Sequence, residues 1–272
     1  MPILTVTGGT TGVGTTTVAT NLAVVLARLG RRVIILDLAP APGAVASRLG
    51  ASVNQAWRHG RHPTLGVVPA LAEGPHGLRI MASHAGGRRW FSARTQTADV
   101  VDTIGLLAAV ADFVVVDVPT GLSTLNDVAV VSERVLTVTG TSASSIAGSC
   151  GLVRQLCGLG IETEIGIVVN GVSNVNEAGW AYRAVCESAE STPVRRPESY
   201  GFVTTDPQVP RAQMMQRAVV DCRPHSPSSR CFDALGLLIA HGGSFDGGGL
   251  SVIPLTWEAS CLQAAGKARQ CA

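Results

Sequence analysis

The sequence predicts an α/β fold in which a doubly wound, mainly parallel sheet is covered by helices on both faces. Three observations predict it. Short runs of consecutive aliphatic and β-branched residues recur along the chain, helical apolar spacing fills the intervals, and a glycine-rich segment follows the first run directly. Consecutive rather than alternating apolar residues mark strands buried on both faces, as in parallel sheets. The 272 residues, 46% of them hydrophobic, suffice for one large domain with a sizeable core.

The elements follow in order. Residues 2–7 (Pro-Ile-Leu-Thr-Val-Thr) read as a buried strand that stops at Gly8-Gly9. From Thr15 to Leu29, Val18, Leu22, Val25, Leu26 and Leu29 recur at helical spacing, and Gly30 stands where a left-handed residue ends a helix. Residues 32–38 are a second buried strand. Strand, loop, helix and strand within 38 residues form a βαβ unit. Further on, 78–82 reads as a strand, 100–110 as a helix, and 112–118 as a β-branched strand. Residues 134–139 and 164–169 read as strands, with a helix over 143–159 between them. Residues 173–200 fit no single period, whereas 208–219 and 228–240 read as helices. The expected division is one α/β domain over 1–240 and a glycine-rich tail over 241–272.

Composition excludes some functions. The net charge is +2 with no strong basic block, which argues against nucleic-acid binding. Seven cysteines, an odd number with no C-x-x-C pair and no secretory leader, predict reduced thiols in a cytosolic protein. No apolar run reaches the roughly 18 residues of a membrane span.

The chemistry centres on Gly9-Thr10-Thr11-Gly12-Val13-Gly14-Thr15-Thr16. This octet fits the phosphate-binding pattern G-x-x-x-x-G-K-[ST] except at Thr15, where the lysine belongs. Loops of this kind cradle phosphates with backbone N–H groups, aided by the dipole of the following helix. Thr16 stands where a hydroxyl would ligate Mg²⁺. Asp117, at the end of one buried strand, and Asp37, at the end of another, are candidate Mg²⁺ carboxylates. Lys267 is the only lysine of the chain, so its other basic residues are all arginines. A bias toward arginine would not turn the loop lysine into threonine.

Together these segments resemble the MinD/ParA ATPases. Residues 9–27 are similar to their deviant Walker A loop, K-G-G-x-G-K-T-[ST], continued by a helix with Asn-Leu. Asp37-Leu38-Ala39 falls on their D-x-D and Asp117-Val118-Pro119-Thr120-Gly121 on their D-x-P-x-G. Val168-Val169-Asn170 falls on a strand whose asparagine contacts adenine in that family. Two softer segments, Ala70–Met81 and Asp221–Leu235, resemble the FlhG/FleN regulators of flagellar number. The resemblance implies ATP or ADP with Mg²⁺ as ligand, held by Gly9, Thr10, Thr11, Gly12, Val13, Gly14, Thr15, Thr16, Thr17 and Asn170, with Thr16, Asp37 and Asp117 at the metal. It also implies protein partners: a second copy, an intact homologue, or a flagellar or pilus component. The location implied is the cytoplasm, with peripheral contact at the inner membrane as the alternative.

The departures bear on activity. The family's lysine that reaches across a dimer is Thr10 here, and its phosphate lysine is Thr15. Ala39 replaces the aspartate that positions attacking water, and 41–44 (Ala-Pro-Gly-Ala) lack the switch asparagine. The FlhG branch has an activating helix before the first strand, whereas this chain opens at the strand. A charge-assisted hydrogen bond is worth about 1.5–3 kcal/mol, so losing one lysine weakens binding by about 10- to 100-fold. Losing a transition-state cation slows the reaction by on the order of 10³–10⁵. The expectation is a FlhG/FleN-like nucleotide-binding regulator with weak or absent hydrolysis. The alternative is a pseudo-ATPase scaffold that localises pilus, secretion or cellulose machinery.

Other candidates are weaker. His59 and His62 have no further ligands nearby, so 58–62 reads as a solvated loop. The tail carries Leu255, Ala259, Leu262 and Ala265 at helical spacing. Its apolar face is thin and only Lys267 and Arg269 are basic, which favours a packed or disordered tail over a membrane-binding helix.

Overall fold

The computed structural model describes residues 3–39, 44–51, 71–82, 84–85, 88–89, 97–160, 162–189 and 196–241. The segment 58–62 with His59 and His62, most of the switch segment 41–44, and the tail beyond His241 lie outside the described residues.

An eight-stranded sheet forms the centre, in the order β10-β9-β8-β1-β7-β2-β4-β3. Its strands are β1 (Ile3–Gly8), β2 (Val33–Asp37), β3 (Ala72–Glu73), β4 (Arg79–Ala82), β7 (Phe113–Asp117), β8 (Arg134–Thr139), β9 (Glu164–Val172) and β10 (Glu198–Thr204). All neighbours pair in parallel except the two-residue β3, which is antiparallel to β4. A separate hairpin joins β5 (His84–Ala85) to β6 (Arg88–Arg89). The helices are α1 (Thr15–Arg28), α2 (Ala44–Arg48), α3 (Thr97–Ala108), α4 (Leu125–Val131), α5 (Ala143–Cys157), α6 (Val175–Ala189), α7 (Gln208–Met214), α8 (Val219–Cys222) and α9 (Pro227–Ala240).

Alternation along the central strands separates two cores. Val33 and Ile35 of β2, with Phe113 and Val115 of β7, join the core under α1 and α9. Ile34, Leu36, Val114 and Val116 join the opposite core, under α3 and α4. Because side chains alternate, Asp37 and Asp117 continue the set on the α1 side. The two residues are also partners in the β2–β7 register.

α1 lies in the larger core, with Val18, Leu22, Val25 and Leu26 buried. Leu29 departs from the predicted stripe: it is 41% exposed and forms the C-cap, and Gly30 follows at φ 79°. α9 crosses α1 at Gly236, where a Cβ would come within 2.3 Å of Val25 Cγ1. Asn21 ties α8 to α1, its Oδ1 accepting from Val219 N–H at 3.0 Å.

The predicted strand 134–139 is found at those residues. α2, β3, the β5–β6 hairpin and α4 lie where no element was expected, and two further regions differ from expectation. The unplaced stretch 173–200 holds α6 and the start of β10, and the single helix expected over 208–219 is two, α7 and α8. Gln216, at φ 53°, breaks that helix. Among the described residues, Cys150, Cys157, Cys186, Cys222 and Cys231 are free thiols. No described helix is long and apolar enough to cross a membrane.

Candidate nucleotide site

β1 delivers the chain to residues 9–14 at the carboxyl edge of the sheet, beside β7 and β8. Two glycines in this loop have left-handed backbones, Gly12 at φ 82° and Gly14 at φ 92°, which a side chain would strain. Gly14 is also the N-cap of α1 and provides no side-chain cap, and the first turn of α1 holds no acidic residue. The first N–H groups of a helix have no partner within it. Those of Thr15, Thr16 and Thr17 therefore form a positive helix end suited to an anion.

The loop is held from three sides. Asn170 at the end of β9 donates to the Val13 carbonyl at 2.8 Å. Thr120, in the turn after β7, donates to the Gly8 carbonyl at 2.9 Å. Gly9 rests on α5: a Cβ there would lie 2.1 Å from the Gly148 carbonyl carbon, and one on Gly148 would lie 2.5 Å from Thr10 Cγ2. Thr10 thus packs against α5, its hydroxyl buried without a hydrogen-bond partner. Thr11 and Gly12 are exposed at the tip. Thr15 lies against Gly8, where a Cβ would come 2.8 Å from its Oγ1.

The two strand-end aspartates differ. Asp37 accepts from Ala39 N–H at 2.9 Å and from Val45 N–H, at the start of α2, at 3.0 Å. Asp117 is 1% exposed, and no donor meets ordinary hydrogen-bond geometry at either carboxylate oxygen, the Thr16 hydroxyl being the polar neighbour. Burial pushes its carboxyl up to about 7, and the neighbouring Asp37 adds to the rise. The Thr16 hydroxyl and the Arg48 charge act in the opposite direction without restoring an ordinary value. An orphaned buried carboxylate next to a second carboxylate is a donor set that a divalent cation completes. Mg²⁺ fits here, with Asp117 and Thr16 as the residues that would hold it and Asp37 alongside. Among the described residues no three His, Cys, Asp or Glu side chains converge as a metal cluster. Such an ion would therefore depend on phosphate and water for its remaining ligands.

Thr17 is the meeting point of two other elements. Its hydroxyl accepts from Arg48 Nη1 of α2 at 3.2 Å and from Gln213 Nε2 of α7 at 3.0 Å. Neither residue stands out in the sequence, because they lie 31 and 196 positions from Thr17. Gly148 was equally unmarked; its role exists only because α5 passes under the loop. Ala39, at the position of the water-positioning aspartate, contributes a backbone N–H to Asp37 and no polar side chain.

Comparisons with known proteins agree with this geometry. Residues 4–219 match the CobQ/CobB/MinD/ParA nucleotide binding domain. The antiactivator FleN of Pseudomonas aeruginosa is 27% identical over 235 residues, spanning 86% of this chain and 84% of that protein. Two solved structures share the fold. MinD of Pyrococcus horikoshii, complexed with Mg-ADP, has TM-score 0.66 and 19% identity, over 88% of this chain and 95% of that one. MinD in the MinC:MinD complex of Aquifex aeolicus has TM-score 0.68 and 18% identity, over 89% and 96%. With its loop, its paired strand-end aspartates and nearly four-fifths of its length matched, this chain belongs to the MinD/ParA family of nucleotide-binding proteins.

Proposed function

We propose that this protein is a nucleotide-binding regulator of the FlhG/FleN type, in which occupancy of the site rather than turnover sets the signalling state. The observation that carries the reading is the unfinished pair formed by Asp117 and the uncapped end of α1. A cation would complete the first and an anion the second, and Mg²⁺ with ATP or ADP would supply both. Bound Mg²⁺ would neutralise charge on the phosphate oxygens. The loop N–H groups and Thr16 orient those phosphates, and Asn170 fixes the loop backbone that receives them.

Weak hydrolysis follows from the same residues. Ala39 has no group to hold an attacking water, and Thr15 carries no charge for the transition state. Thr10, packed against α5, offers no cation to a second copy. Control of flagellar placement or number is the role that the likeness to FleN supports, through a protein partner that reads the occupied form.

Calorimetry with Mg-ATP and Mg-ADP on wild type and Thr15→Lys tests the reading. The expected result is measurable binding in wild type, about 10- to 100-fold tighter binding in Thr15→Lys, and negligible phosphate release by wild type. Absence of binding in both proteins would overturn it, and rapid Mg²⁺-dependent turnover by wild type would overturn the occupancy mechanism.

A further inference from the structure

The phosphate site is short of positive charge at Thr10 and Thr15, yet one guanidinium does reach it. We propose that Arg48, carried on α2, provides the positive charge that the loop itself lacks and binds the phosphates of the nucleotide. The inference rests on the nucleotide reading above and names the residue that makes such binding work in this chain.

Two geometric observations carry it. The first is the Arg48–Thr17 hydrogen bond, 3.2 Å from Nη1 to Oγ1, which sets the guanidinium beside the first turn of α1. A guanidinium has five N–H donors, so most remain for a ligand. Arg48 is half-buried and takes part in no ion pair among the described residues. The second is the saturation of Thr17. A hydroxyl has two acceptor lone pairs and one proton. Arg48 and Gln213 both donate to the Thr17 oxygen, which leaves its proton available to a further acceptor, solvent or a ligand. A cation with spare donors and a hydroxyl with a spare proton thus stand side by side at the uncapped end of a fourteen-residue helix. The buried carboxylate of Asp117 lies within range of the same cation and of the Thr16 hydroxyl.

Phosphate oxygens are the acceptors that satisfy both groups. Arginine suits that task because its planar fork matches two phosphate oxygens at once. A purely structural Arg48 would instead steady the ligand-free site and leave ligand affinity untouched. The two roles therefore separate in one experiment.

Mg-ADP, Mg-ATP and adenosine binding is measured by calorimetry on the full chain, for wild type, Arg48→Ala, Arg48→Gln and Arg48→Lys, with ligand-free melting midpoints alongside. The expected result is about 10- to 100-fold weaker Mg-ADP binding in Arg48→Ala and Arg48→Gln, partial recovery in Arg48→Lys, and unchanged adenosine binding. Arg48→Gln keeps a donor for Thr17 without the charge and is read if Arg48→Ala fails to fold. Wild-type affinity for Mg-ADP in Arg48→Gln overturns the inference and leaves the nucleotide reading standing. No Mg-ADP or Mg-ATP binding by wild type overturns both.

Discussion

Of the buried aspartates at the strand ends of this sheet, those after β10 and at the end of β7 have opposite settings. After β10, Asp206 accepts from Gln208 N–H at 2.8 Å, from the Ser228 hydroxyl at 2.7 Å and from Ser228 N–H at 3.2 Å. Burial alone would raise its carboxyl, but these donors outweigh burial and hold it below the ordinary value. At the end of β7, Asp117 is buried more deeply, with no backbone donor and only the Thr16 hydroxyl near it. The first aspartate is complete within the protein and fastens α9 to the sheet. The second has no comparable set of donors within the protein. The helix ends repeat the contrast. α5 and α9 are capped by Ser142 and Ser226, whereas α1 opens on a bare glycine. The polar groups at β10, α5 and α9 are satisfied within the protein, and those at β7 and α1, where the proposed ligand would sit, are left open.

Substitutions should therefore act with opposite sign at the two aspartates. The folded-state rise at Asp117 from 3.8 to about 7 stabilises the protonated form. That contribution is present in full below pH 4, fades as pH rises to 7, and leaves a penalty on the order of 4 kcal/mol above pH 7. Asp117→Asn removes the charge and should flatten the pH dependence of urea unfolding between pH 4 and 7. It should raise ligand-free stability at pH 8 and abolish stabilisation by Mg²⁺ with nucleotide. A loss of stability at pH 8 would break the contrast.

Asp206→Ala strips three donors of their acceptor and should lower stability by about 2–4 kcal/mol at neutral pH. Because the folded value is depressed, the native contribution is present above pH 4 and fades as pH falls further, so the defect should shrink in acid. Equal stability of mutant and wild type by urea titration at pH 7 would show that the α9 cap is dispensable.

Gly148→Ala tests the support under the loop. Its Cβ would lie 2.6 Å from the Gly9 carbonyl oxygen and 2.5 Å from Thr10 Cγ2, so loop or helix must move. The expected loss is about 1–3 kcal/mol in thermal or urea unfolding, with weaker nucleotide binding as the loop shifts.

Much of this was legible in the sequence, for a physical reason. The run from β1 through α1 to β2 satisfies local propensity, apolar period and loop chemistry at once, so each level of reading gives the same answer. β10 was hidden because Gly201, at φ 88°, coincides with a register shift against β9 and disrupts any regular period. α6 was hidden by its weakly apolar composition, with Trp180 half exposed. At the site, the loop and both aspartates could be named from spacing alone. Their difference could not, because it lies in which backbone N–H groups turn toward Asp37, those of Ala39 and Val45. Arg48 was invisible for a related cause: only the folded path of α2 sets it against Thr17.

The open carboxylate of Asp117 also ties the lifetime of the protein to its surroundings. A chain with an uncompensated charge at its centre is least stable when empty, and a ligand that binds only the native form shifts the folding equilibrium toward it. The fraction of molecules exposed to cellular proteases then varies inversely with ligand supply. On the proposed reading, abundance itself would follow the nucleotide pool, without any change in synthesis.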